Sequence, residues 1–326
     1  MTRQRFVNID PAPGVVGARA SMNPVFSVAA GRFSLTSGAL GVAVGKFAWN
    51  AYATAGGPGV ANNYSPTAPA VPDGFVSNEQ QGLITTWLND SSLLLPAGLP
   101  ITEYYRGDFW AKNVYAEAAL GQKIFANLFS GDVLGATTGS FPVNVAGTSA
   151  AFTASVSSGT NTLNVTALTS GNIQVGQQIV GVLGNYGNNY IESLGTGTGA
   201  GGTYYLSQNV GTTSTSLPLT SQTPSGIGGA TMSATANWLQ NQINVVTVTS
   251  GAIAVGQLVQ ATGIPTGTYV ASLGTSTGGL GTVNLSANLT ATITNATVLF
   301  SSWIETPFSV LSPGNVGDLI KIGLKS

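Results

Sequence analysis

The sequence predicts a mainly β protein, on three observations: charge is rare, Gly is frequent among β-branched residues, and a long segment repeats itself. Charged residues make up 6% of the 326 positions, where an average soluble chain has about 25%. Hydrophobic residues still account for 43%, with 12 Phe, 10 Tyr and 5 Trp, and the net charge is −1. Disorder goes with low hydrophobicity and high net charge, so this composition folds. The length favours two or three domains over a single core.

Taken in chain order, Arg3, Arg5, Arg19 and Arg32 make the first 32 residues basic against Asp10 alone. With Phe6 they are candidate contacts to an acidic protein surface. No apolar region follows Arg3 and Arg5, so Sec export is not expected. Gly41–Trp49 alternates loosely and Leu83–Leu88 is β-branched and aromatic, so both read as strand. The segment 52–72, rich in Gly and Pro, reads as a long irregular loop or extended arm. A helix is expected at most over Ser77–Leu88, capped by Ser77 or Asn78, and Gly82 and the Thr pair weaken it.

The charges then divide the chain. Between Val133 and Ile304 the single ionisable residue of the Asp/Glu/Lys/Arg set is Glu192. Inside this neutral text, Leu163–Gln177 aligns with Ile243–Gln257 at an offset of 80, and Ser193-Leu-Gly-Thr with Ser272-Leu-Gly-Thr at 79. A period of that size is too long for a solenoid, so each copy reads as a small domain. Short runs at Thr162–Thr166, Gln178–Val182, Tyr190–Ser193 and Thr203–Ser207, bounded by Gly and Asn, have the spacing of antiparallel strands. The Gly-rich stretches at 195–202 and 274–281 read as hairpin tips. The expected division is a base domain of 1–135 plus 302–326, a β-barrel or sandwich completed by the C-terminal segment, with two inserted tandem antiparallel modules at 150–225 and 230–301.

Composition also excludes chemistries. With no His and no Cys there is no His-based triad, thiol nucleophile, disulfide, or His/Cys zinc site. Calcium loops need several carboxylates within about a dozen residues, which the neutral half lacks. No cofactor or metal is expected. No apolar run approaches the roughly 18 residues of a membrane span, and ten basic residues against eleven acidic ones leave no nucleic-acid footprint. Neither a membrane nor a nucleic acid is an expected partner.

Glycoside hydrolysis needs only two carboxylates, and Glu103, Asp108 and Glu117 lie among Tyr104, Tyr105 and Trp110. Arg106, Lys112 and Lys123 interleave with them, so surface ion pairs are the expected reading. Gly197 to Gly202 satisfies a G-x-G-x-x-G pattern, but no acidic residue follows about 20 positions on and strand-like text follows directly, which excludes a dinucleotide loop. Tyr186, Tyr190, Tyr204, Tyr205 and Tyr269 are candidate glycan contacts if the modules act as an adhesin.

The order of many short motifs carries a resemblance: Pro11–Gly14, Met22–Pro24, Gly41–Trp49, Pro72–Val76, Glu79–Gln81, Leu95–Gly98, Gly107–Trp110 and Gly121–Lys123, closed by Val310–Ile322. Together these resemble the structural cement, or head-decoration, proteins of tailed bacteriophages, over roughly 1–130 and 305–326. The neutral modules resemble Gly/Thr-rich β repeats inserted in phage virion proteins. The resemblance implies a non-enzymatic protein made in the host cytoplasm and held on the outer surface of the capsid. It also implies the major capsid protein as partner and a homo-oligomer, expected as a trimer, seated where capsomers meet. It implies no catalytic residue.

Overall fold

The computed structural model describes residues 14–30, 34–52, 59–65, 68–78, 93–143, 150–171, 173, 178–180, 191–197, 199–206, 209–222, 230–251, 253–276, 278–315 and 317–324. All regular structure among the described residues is strand, so the mainly β expectation holds. The chain divides into two compact units, one of 1–66, 70–140 and 304–326, the other of 67–69 and 141–303.

Unit 1 contains, in chain order, β1 (Phe26–Ser27), β2 (Thr36–Ser37), β3 (Val42–Ala43), β4 (Phe47–Tyr52), β5 (Gly59–Asn62), β6 (Gly74–Val76), β7 (Leu94–Leu95), β8 (Glu103–Arg106), β9 (Phe109–Lys112), β10 (Lys123–Asn127) and β11 (Val133–Ala136). The chain returns to it through β24 (Trp303–Val310) and β25 (Leu319–Gly323). One sheet has the order β1-β8-β6-β4-β5-β2, a second β11-β10-β24-β25-β9, and β3 pairs with β7. The C-terminal strands thus stand between β10 and β9, closing a sheet whose other members lie more than 160 residues earlier.

Aromatic rings join the two sheets. Phe47 of β4 packs edge-on against Phe308 of β24 at 5.5 Å, and Phe75 of β6 and Tyr104 of β8 meet Phe109 of β9 at 5.2 and 5.5 Å. Each such side chain removes about 150–250 Å² from water, so this layer is a large apolar contribution to unit 1. Gly131 turns the chain beneath it with φ +68°, and a Cβ there would lie 2.2 Å from the Phe47 carbonyl oxygen, so glycine is required.

The segment expected as irregular between 52 and 72 contains β5, which pairs antiparallel with β4 and parallel with β2. Val60 and Ala61 alternate in burial along it, and Gly59 admits the Tyr52 ring and Leu35, either of which a Cβ would meet within 3 Å. The flanking Pro and Gly masked this four-residue strand. Of the expected helix, residues from 79 onward, and with them the strand expected at Leu83–Leu88, lie outside the described residues. Ser77 is buried, and its hydroxyl donates to the Gly17 carbonyl at 3.1 Å.

Unit 2 holds two six-stranded sheets. The first comprises β12 (Ala150–Val156), β13 (Thr162–Gly171), β14 (Gln178–Val180), β15 (Ile191–Leu194), β16 (Gly202–Leu206) and β17 (Ser214–Gln222). The second comprises β18 (Ala230–Ala236), β19 (Gln242–Gly251), β20 (Leu258–Gln260), β21 (Val270–Leu273), β22 (Gly281–Leu285) and β23 (Ile293–Ser301). Their orders are β14-β17-β12-β13-β16-β15 and β20-β23-β18-β19-β22-β21, the same path written twice. Even the irregularities correspond: β12 slips against β13 at Ala151/Phe152 and Thr153/Ala154, and β18 against β19 at Thr231/Met232 and Ser233/Ala234. Each sheet has its own apolar cluster, one around Phe152, Leu163 and Tyr204, the other around Met232, Ile243 and Phe300.

Candidate functional site

The described surface of unit 1 gathers aromatic and arginine side chains at one sheet edge. β1 is the edge strand beside β8, with Phe26 opposite Arg106. The Arg106 guanidinium lies over the Phe26 ring at 5.4 Å, and the Tyr105 ring stands 6.1 Å from the same ring. Phe26 and Tyr105 are 44% and 50% exposed, and Met22, on the preceding bend, is fully exposed. An open strand edge bearing aromatic and Arg side chains has the composition of protein-interface anchors. Arg106 was read from sequence as an ion-pair partner; its stacking on a residue 80 positions away has no sequence signal.

Strand alternation sends Tyr104 to the other face, into the aromatic layer. There Arg19 is exposed, donates to the Tyr104 hydroxyl at 2.9 Å and covers its ring at 5.4 Å. Of the five residues expected to make capsid contacts, Arg19 is thus anchored at the surface. Arg3, Arg5, Phe6 and Arg32 lie outside the described residues.

The acids of the 103–117 cluster are used structurally. Glu103 is 1% exposed; its Oε2 accepts from Asn50 Nδ2 at 3.0 Å and its Oε1 has no partner. Burial, reinforced by the nearby Asp73 charge and opposed by the Asn50 hydrogen bond, pushes its carboxyl up to about 8. Asp108 accepts from Ser21 Oγ and Asn23 Nδ2, both at 2.6 Å, and so fixes the bend that presents Met22. Lys123 donates to the Pro307 carbonyl at 3.0 Å. The expected ion-pair cluster is therefore replaced by hydrogen bonds to uncharged partners for Glu103, Asp108 and Lys123, and by ring stacking for Arg106. Charge pairing occurs elsewhere, where Lys46 Nζ lies 3.0 Å from Asp132 Oδ1. Burial alone would raise the Asp132 carboxyl, but Lys46 and the hydrogen bonds from Ser130 and Tyr115 outweigh it and hold it low. The same site raises the Tyr115 hydroxyl, through burial first and the Asp132 charge second.

Of the tyrosines proposed for glycans, the described ones, Tyr204, Tyr205 and Tyr269, differ in exposure and placement. Tyr204 is fully buried, its hydroxyl donating to the Ala200 carbonyl at 2.7 Å and accepting from Gly199 N at 2.9 Å, which makes it a core residue instead of a ligand platform. Tyr205 is 40% exposed on the opposite face, and Tyr269 is half-buried with its N–H donating to Ser286 Oγ. Tyr186 and Tyr190 lie outside the described residues. The glycine pattern at 197–202 also has a packing cause: a Cβ on Gly197 would lie 2.3 Å from the Tyr204 ring.

Sheets with aromatic cores, acids committed to hydrogen bonds and an exposed aromatic–arginine edge define a protein of assembly, built for contact. The chain belongs to the family described as XM1 gp53 minor capsid protein, whose sequence model matches residues 3–203. It is a structural protein of the bacteriophage capsid. No curated protein matches the chain. The matched span covers the first two segments of unit 1 and most of the first sheet of unit 2, and stops before the second sheet.

Proposed function

We propose that the chain is a decoration, or cement, component of the phage head. Unit 1 binds the major capsid protein across neighbouring capsomers on the outer surface of the assembled shell, as a homotrimer, and the neutral sheets of unit 2 face outward. The carrying observation is membership of a minor capsid family in a chain whose charge is confined to unit 1, apart from Glu192. A protein that binds only the assembled shell stabilises it by mass action, and an oligomer touching several subunits adds avidity. The proposed contact surface is the edge of Phe26, Tyr105 and Arg106; Arg19 and, outside the described residues, Arg3, Arg5, Phe6 and Arg32 are the further contacts proposed from the sequence.

The test is to count this chain in purified heads by quantitative mass spectrometry and to locate it by imaging. The expected result is a fixed copy number per capsomer set on the outside. Heads lacking the chain should break at lower temperature, and Tyr105→Ala with Arg106→Ala should abolish rebinding. A chain absent from mature heads, or shells equally stable without it, would overturn the proposal.

A further inference from the structure

The two sheets of unit 2 share a hairpin built on one scaffold but tipped with different side chains. In the first sheet the turn between β12 and β13 is Ser157-Ser158-Gly159-Thr160; in the second, between β18 and β19, it is Asn237-Trp238-Leu239-Gln240. The supporting bonds correspond one for one. Gly159 N donates to Val210 O and Leu239 N to Leu289 O; Ser158 N donates to Thr213 Oγ1 and Trp238 N to Thr292 Oγ1. The backbone requires a left-handed residue at the third position, with φ +80° at Gly159 and +62° at Leu239. Leucine is disfavoured in that conformation, and glycine, which the sister hairpin uses, is not. Trp238 and Leu239 are 60% and 59% exposed. A strained backbone residue displaying two large apolar side chains to solvent points to a contact.

We propose that the Trp238–Leu239 tip of one chain seats on the Val248–Leu280 end of the same sheet in a second copy. Val248 and Leu280 are 44% and 61% exposed, and Gly279, next to Leu280, lies against Val248, where a Cβ would be 3.6 Å from its Cγ2. In the first sheet the equivalent positions are Leu168, which packs against the core, and Gly201, so tip and receiving surface occur together in the second sheet and neither occurs in the first. Val248 lies six residues along β19 from Gln242, about 20 Å at strand rise, so the tip cannot reach the receiving end of its own sheet. Such a contact is head-to-tail, and it closes into a ring when its rotation permits. Approach of two copies meets no charge desolvation, because Glu192 is the one ionisable Asp, Glu, Lys or Arg between Val133 and Ile304.

The test uses the 326-residue chain and follows mass by analytical ultracentrifugation up to about 1 mM, the range of weak contacts. The parent should associate with little dependence on salt. The tip variant, Trp238→Ser with Leu239→Gly, should stay monomeric and melt no lower than the parent, since it adopts the sister hairpin and relieves the strained residue. The receiving variant, Val248→Thr with Leu280→Gly, should also stay monomeric alone. Mixed together, the two variants should form a one-to-one dimer, because one intact tip then meets one intact receiving surface. A parent that stays monomeric throughout, a tip variant that still associates, or a mixture that stays monomeric would each overturn the proposal. The measurement is made without heads, so its failure bears on self-association in solution and leaves binding of the chain to the capsid standing, and absence of the chain from heads leaves this contact standing.

Discussion

Glu103 is the residue where burial most changes chemistry. Below about pH 4.5 its carboxyl is protonated in both folded and unfolded chains; between there and about 8 the unfolded chain releases the proton while the folded chain keeps it. Stability therefore falls as pH rises across that window and levels off above it, with a slope of at most about 1.4 kcal/mol per pH unit. Glu103→Gln removes this penalty. Urea unfolding at intervals from pH 4.5 to 9 should show the variant gaining on the parent up to about pH 8, by a few kcal/mol in all; a pH-independent difference would count against a buried protonated acid. None of this was legible in the sequence. Arg106, three positions away, suggested an ion pair, whereas the group that sets the environment of Glu103 is Asn50, 53 positions earlier, brought there by strand pairing. The charge-poor text itself was legible, because composition needs no fold to be counted.

At the scale of the element, the matching sheets show how one hairpin solves the same problem twice. In the second sheet Ser276 Oγ accepts from Gly278 N and donates to Gly279 O. In the first sheet the equivalent position is Gly197, and the Tyr204 hydroxyl, reaching in from β16, makes both of those bonds to Gly199 and Ala200. Gly197 is vacant of side chain because the Tyr204 ring occupies the space. Gly197→Ser alone should cost about 2 kcal/mol or more through overpacking, and Tyr204→Val alone about 3 kcal/mol through a cavity and two lost partners. The double variant reproduces the Ser276–Val283 pair and should recover at least about 2 kcal/mol of the summed loss, read from denaturant melts. Strict additivity would show that the two sheets are not interchangeable here. Four strands of the first sheet were legible from Gly and Asn punctuation, though not their order, and a tip at 195–202 was expected; the tyrosine that dictates its glycine reads in the sequence as a candidate glycan contact, since exposure depends on which face of β16 lies inward.

For the whole molecule the consequence of the charge partition is thermodynamic. Among the described residues, the groups whose proton affinity is clearly displaced, Glu103, Tyr115 and Asp132, all belong to unit 1. Unit 2 is held by strand hydrogen bonds and two apolar clusters, neither of which contains an Asp, Glu, Lys or Arg. Calorimetry of the full chain between pH 5 and 8 should therefore resolve one transition that moves down as pH rises and one that stays fixed. Two transitions shifting together would refute the separation. Salt should likewise act on the first more than the second, since screening works only on charge.

The Ser301 hydroxyl donates to the carbonyl of Pro142 at 2.6 Å, so the two ends of the 141–303 segment meet. A segment pinned together at its two ends behaves genetically as a cassette. Its loss, doubling or exchange for foreign sequence is expected to leave the host fold intact when the replacement also begins and finishes within a hydrogen bond of itself. On the decoration role proposed above, a phage lineage would thereby vary what its particles show to the outside world while the part proposed to grip the shell is left alone.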